Sequence, residues 1–359
     1  MNYYVLPTKY MEFNIELKMN DTTEPYISSS FYRNMLSLKT QVDIFIEHNK
    51  DTLTTTGIDM IRDINNTYSF LHSIVSTDIQ IYINELNENE SRLFFINIEL
   101  CNTFEFLYRI FNTIPEQIMY IGDNGKTFHE SLKYISSKND VIINSTTLDD
   151  LINSIKNDND PFCYTDFKML YFDLCIPEEE HKYVNNTIVQ IVKTLYIITN
   201  MRCTSVIKIG GLLFKPIIDV IYILTGMYNN VYLSKPISSK DMNDRYIICK
   251  DSYSRHPSIE YITNTNDKLL EIIRIIQNES NTKEVSSIIN TPISCYFLTK
   301  LEESTLIIGQ KNIDYYETFI MLMKIFGKED KIENAKKSAI IKCIQWCVKY
   351  NIPHMVKYL

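Results

Sequence analysis

The sequence predicts an α/β fold: a mostly parallel sheet that ends in an antiparallel hairpin, with helical extensions at both ends of the chain. Three observations predict it. Short, near-continuous apolar runs alternate with helix-like segments from about residue 92 to residue 251, the pattern of strands covered on both faces by crossover helices. The last two runs, NVYLSKP and RYIICKD, are separated only by residues 237–244, too few for a crossover helix, so they should pair antiparallel. Outside this stretch the apolar residues recur with helical spacing.

Taken in order, residues 1–88 are expected to form a helical region, carried by FYRNMLSLKTQVDIFIEHN and GIDMIRDINNTYSFLHSIV and closed by the polar connection NELNENES. The α/β domain is expected over residues 89–257. Its first strand is predicted at LFFINIEL, followed by a helix over FEFLYRIFNTI. QIMYIG is the second strand and runs into the turn Gly122-Asp123-Asn124-Gly125; DVIIN is the third. TLDDLINSI reads as a short helix, and FKMLYFDL as a fourth strand ending on Asp173. NTIVQIVKTLYIIT is a long apolar helix, SVIKIGG the fifth strand, LLFKPIIDVIYILTGMY another helix, and the hairpin supplies strands six and seven. Residues 258–359 are expected to be helical. The last helix aligns Ala335, Ala339, Cys343, Trp346 and Cys347 on one stripe, and Lys324 to Lys349 holds seven lysines against three acids.

Composition narrows the function classes. At 45% hydrophobic and 22% charged, the 359-residue chain can bury a sizeable core. A net charge of −8 argues against binding nucleic acid mainly through phosphate contacts, so any RNA contact should be local or shared with a partner. No signal peptide is expected, because MNYYVLPTKYMEF lacks a basic segment followed by an apolar one. The tract from Leu212 contains Lys215, Pro216 and Asp219 and reads as a buried helix, so no membrane span is expected. The eight cysteines are scattered, without a CxxC pair, as in a reduced protein. Cys343 and Cys347 with His354 could suggest a metal, but two small residues on one helix face beside Trp346 is the simpler reading, and no metal is expected.

The run from Ser205 to Lys250 carries a more specific signal. Lys208 lies in a strand, a helix follows, and the next strand leads into Lys235-Pro236-Ile237-Ser238-Ser239-Lys240 and then Asn243-Asp244-Arg245-Tyr246. This order resembles the carboxyl half of FtsJ-like RNA ribose 2′-O-methyltransferases, particularly the viral cap-modifying branch. The resemblance implies a Rossmann-like methyltransferase fold, S-adenosylmethionine as cofactor and the 5′ end of capped mRNA as substrate. It implies Lys208, Asp173, Asp244 and, from an amino-terminal helix, Lys39 as catalytic residues, with Lys235, Ser238, Ser239 and Lys240 on RNA. It places Glu99, Asn102, Thr103 and Phe104 at the cofactor turn, with Asp123 nearby. There the proline and both glycines of the family's turn are replaced, which predicts weak cofactor affinity. YTDFKMLYFDL also resembles the matching strand of the poxvirus mRNA capping enzyme small subunit, implying the alternative of a non-catalytic subunit that stimulates a capping enzyme or polymerase. Either implies a cytoplasmic protein, in the host cytoplasm or the virion if viral.

Overall fold

The computed structural model describes residues 2–49, 55–106, 117–136, 142–157, 167–174, 184–239, 244–253, 258–278 and 283–355. Among the described residues the strands are β1 Asn2–Leu6, β2 Ile15–Asn20, β3 Gln117–Ile121, β4 Ile142–Thr146, β5 Phe167–Phe172, β6 Thr204–Ile209, β7 Tyr228–Lys235, β8 Arg245–Ser252 and β9 Glu284–Ile289. The α-helices are α1 Ser29–His48, α2 Thr55–Asn65, α3 Leu71–Ile74, α4 Thr77–Ile83, α5 Glu88–Phe104 and α6 Gly125–Ser136. They continue with α7 Leu148–Asn157, α8 Val184–Met201, α9 Lys215–Met227, α10 Ile259–Ile276, α11 Cys295–Ile325 and α12 Glu329–Lys349.

Seven strands form one sheet in the order β1-β7-β8-β6-β5-β3-β4. β3, β4, β5 and β6 pair parallel, while β8 lies antiparallel between β6 and β7, which restores β7 to the common direction. This is a Rossmann-like methyltransferase fold, a mostly parallel sheet whose last hairpin inserts one reversed strand. β1 adds an antiparallel edge beside β7, and β2 and β9 form a separate two-stranded sheet.

The strands are apolar throughout because each alternate side chain enters a different core. Met119, Ile121, Leu170, Phe172, Ile207, Ile209 and Ile247 pack with α7, α8 and α9 in one cluster. Ile118, Tyr120, Met169, Tyr171, Val206, Tyr246 and Ile248 pack with α5 and α6 in the other. The period of two is thus hidden in composition and present in direction.

Three expectations are corrected. LFFINIEL is not a strand; it is the body of α5, which starts on a capping box in which Asn87 accepts from the Glu90 N–H and Glu90 from the Asn87 N–H. Its apolar residues are continuous because α5 is buried on two sides: Ile96, Leu100 and Cys101 face the sheet, while Phe94, Phe95 and Ile98 face α12. The amino-terminal region is not purely helical, since it supplies β1 and β2, and the carboxyl-terminal region supplies β9. The helix expected over FEFLYRIFNTI falls mostly outside the described residues.

Candidate functional site at the sheet's switch point

The chain steps from β3 outward to β4, then returns to the far side of β3 for β5. Where strand order reverses, the carboxyl ends of the two strands diverge and leave a crevice, the usual ligand site of open α/β sheets. Gly122 closes β3 there and Asp173 closes β5.

The turn between β3 and α6 needs the first of its glycines. Gly122 has φ +146°, and a Cβ on it would stand 2.8 Å from the Asp173 carbonyl oxygen and 2.9 Å from the Asp173 Cβ. A Cβ on Gly125 would collide with Ser145 Oγ at the end of β4. The glycine turn absent from residues 99–104 is therefore present at residues 122–125, one strand later than the resemblance suggested.

Asp173 is 9% exposed and heavily partnered. Its Oδ2 accepts the Tyr120 hydroxyl and the Asn124 amide, each at 2.7 Å. Its Oδ1 lies 3.4 Å from Lys208 Nζ, and Lys208 lies 3.9 Å from Asp244 Oδ1. Asp244 in turn accepts the Ser239 hydroxyl at 2.8 Å, and Lys235 Nζ reaches Ser239 Oγ at 3.5 Å. Sheet register explains the convergence: Lys208 pairs with Tyr246, and Tyr246 with Ser234, so the three share one row on the α5 face. Beyond the row, Asp244 lies two residues from Tyr246 and Lys235 one residue from Ser234.

Burial first, and the Asp173 carboxylate second, hold the Tyr120 and Tyr171 phenols well above their ordinary pKa of 10.0. Burial, then Tyr171, Asp244 and Asp173, do the same for Tyr246. Three neutral tyrosines thus wall a site whose charges are Asp173, Lys208 and Asp244. Tyr120 stacks on Tyr171 at 5.4 Å, and Tyr171 anchors its hydroxyl on Asn97 of α5 at 2.9 Å.

The other expected site residues lie elsewhere. Asn102 and Thr103 sit in α5; the Asn102 amide donates to the Ile98 carbonyl, and Phe104 is buried against Tyr3, Phe106 and Tyr232. None of the three forms a turn, because their segment is helical, and this corrects their expected place at a cofactor loop. Asp123 is exposed in the glycine turn. Lys39 is exposed on α1, which packs on α11, and no hydrogen bond or ion pair among the described residues joins it to Asp173, Lys208 or Asp244. Lys240 falls outside the described residues.

Glu99 has a place that the sequence did not signal. Fully buried on α5, its Oε1 accepts the Ile237 N–H at 2.9 Å, and its Oε2 accepts the Ser238 N–H at 3.1 Å and the Ser238 hydroxyl at 2.8 Å. The Trp346 indole N–H of α12 adds a fourth contact at 3.3 Å. Lys311 of α11 also feels this carboxylate: burial and then Arg245 lower its pKa, and Glu99 opposes them. Cys343 and Cys347 are buried in the same region, the Cys343 thiol donating to the Thr67 carbonyl at 3.0 Å. Among the described residues no group of three metal-ligating side chains assembles, and no helix is long and apolar enough to cross a membrane.

No family model matches the sequence, and no curated protein matches it. Among solved structures, human methyltransferase-like protein 13 in complex with SAH is similar over 50% of this chain and 89% of that one, at 9% identity and a TM-score of 0.25. The strand order and the switch-point geometry, rather than this likeness, identify the methyltransferase fold.

Proposed function

We propose that the chain is an S-adenosylmethionine-dependent RNA ribose 2′-O-methyltransferase of the FtsJ-like, cap-modifying kind. The observation that carries the reading is Lys208, held 3.4 Å from Asp173 and 3.9 Å from Asp244 beside a turn that requires glycine at Gly122. At Gly122 and Gly125 the missing Cβ makes room for the protein's own Asp173 and Ser145, so the turn's fit to the cofactor rests on its place at the switch point. Gly122, Asp123 and Asn124 would hold the cofactor, which supplies a sulfonium methyl. In dinucleotide folds an acidic residue about twenty positions beyond the turn takes a ribose hydroxyl; here Ser145 and Thr146 end β4 and offer hydroxyls instead. Lys208 must first give its own proton to solvent, against the pull of Asp173 and Asp244; its Nζ then accepts the proton of the ribose 2′-hydroxyl as that oxygen takes the methyl and the sulfonium is left as a thioether. Asp173 and Asp244 orient the lysine, and Lys235 meets the RNA backbone, whereas Ser238 and Ser239, expected on RNA, are buried with their hydroxyls donated to Glu99 and Asp244 and shape the loop instead.

One observation favours a second reading, a non-catalytic subunit of a capping complex. Tyr120 and Asn124 each donate to Asp173 Oδ2, so polar groups of the turn are engaged by the protein itself. Calorimetry with S-adenosylmethionine and transfer of labelled methyl groups to capped RNA separate the two. The enzyme reading expects saturable cofactor binding, and transfer that falls by about two orders of magnitude or more in Lys208→Ala, the usual weight of a proton acceptor. Undiminished transfer removes Lys208 from the mechanism, and no transfer by the wild type, alone or with a capping partner, favours the second reading.

A further inference from the structure

Glu99 does more than fill a core position, because it accepts donors both from the loop beside the site and from the carboxyl-terminal helix. Ile237 and Ser238 are the first half of the loop between β7 and β8, and they give Glu99 two backbone N–H groups and a hydroxyl. Trp346 gives an indole N–H from α12. The next loop residue, Ser239, donates to Asp244, which lies beside Lys208. A chain of polar contacts, bridged at one step by the peptide bond between Ser238 and Ser239, therefore runs from α12 through Trp346 and Glu99 to Asp244 and Lys208.

A buried carboxylate costs free energy unless its lone pairs are filled, so it holds its donors more tightly than a neutral acceptor would. The phenols near it are kept neutral: burial first, and Glu99 second, push Tyr68 up to about 12, and the same two causes raise Tyr350. They add no competing charge to the pocket.

We propose that Glu99 is the positioning residue of the β7–β8 loop and that α12, through Trp346, sets where that loop stands. The ligand of the loop is RNA only if the proposed function holds; the linkage between loop and helix is independent of that reading. The physical consequence is reciprocal. A ligand that moves Ile237 and Ser238 changes the environment of Trp346, and a change at α12 alters the loop and the order of Asp244.

The chain contains one tryptophan, so its intrinsic fluorescence reports Trp346 alone. The experiment combines that signal with amide hydrogen exchange on the full chain, using Glu99→Gln and Trp346→Phe. Glutamine keeps the shape of glutamate but turns one oxygen into a donor that faces either Ile237 or the Ser238–Trp346 side. In Glu99→Gln, exchange at Ile237 and Ser238 should rise by about tenfold or more, the loss expected for hydrogen bonds to a charged acceptor, while exchange in β5 stays unchanged. A role confined to general packing would instead raise exchange along α5 and α12 together. In Trp346→Phe the same two amides should exchange faster by a smaller factor, because the other donors to Glu99 remain. Should Glu99→Gln fail to fold, Trp346→Phe alone decides. Unchanged exchange at Ile237 and Ser238 in the folded variants overturns the proposal.

The ligand arm adds a short capped oligoribonucleotide to the wild type. Saturable binding should shift Trp346 emission, and Trp346→Phe should weaken the affinity. Binding with unchanged emission and unchanged affinity in that variant overturns the coupling. If the oligoribonucleotide does not bind the wild type, the RNA reading fails while the exchange arm still decides the linkage.

Discussion

Gly122 and Asn102 show how much a single position can mislead or inform. Asn102 and Thr103 stand where a glycine turn was sought, yet both lie in the last turn of α5. Replacing both by glycine should leave S-adenosylmethionine affinity where it was in calorimetry and destabilise the protein by about 1 kcal/mol per site, the cost of glycine in a helix. Gly122→Ala meets a backbone with φ +146° and the Asp173 main chain at 2.8 Å. It should destabilise by about 1–3 kcal/mol and weaken whatever cofactor affinity calorimetry finds; an unshifted denaturation midpoint would mean that the turn tolerates a side chain. Asp173, Lys208 and Asp244 could be chosen as candidates because their order along the chain resembles the FtsJ-like motif, which a linear pattern carries. Glu99 could not be assigned its role, because its partners at Ile237, Ser238 and Trp346 are distant in sequence.

At the scale of elements, α5 is the instructive case. Its central run, LFFINIEL, is apolar enough and short enough to read as a buried strand, and periodicity alone does not separate such a strand from a helix buried on two sides. The local signal that does separate them lies upstream: Asn87 and Glu90, three residues apart, form a capping box. Asn87→Ala should cost about 1 kcal/mol, read as a lowered denaturation midpoint; an unchanged midpoint would show that packing against the sheet and α12 holds α5 without its cap. The six later strands were legible because turns and helices with clear spacing separate them. β1 and β2 were not, because their partners, β7 and β9, lie more than two hundred residues further along the chain.

Across the whole molecule the two ends of the chain interlock around the α/β domain rather than extend from it. β2 pairs with β9, α1 and α2 pack on α11, and Val75 bridges to His354. Unfolding should therefore expose the buried tyrosines of the sheet together. Burial raises Tyr120, Tyr171, Tyr228 and Tyr246 above 10.0. The folded state keeps these protons at a pH where the unfolded chain loses them, so their stabilising contribution is intact below pH 10 and declines as pH rises above it. The loss should approach about 1.4 kcal/mol per pH unit for each proton retained. Urea denaturation at pH 8, 10 and 11 checks this, and a flat midpoint would mean that the tyrosines ionise within the folded protein. By itself, the sequence determined the six strands between residues 117 and 251 and the reversed final hairpin, since run length, spacing and loop length are local quantities. Only the tertiary structure decided which strand leads into the glycine turn, that α5 is a helix, that β1 and β9 join distant partners, and that Glu99 serves the loop. Each of those depends on which buried surfaces and hydrogen-bond donors meet across the chain, and a linear pattern does not carry that information.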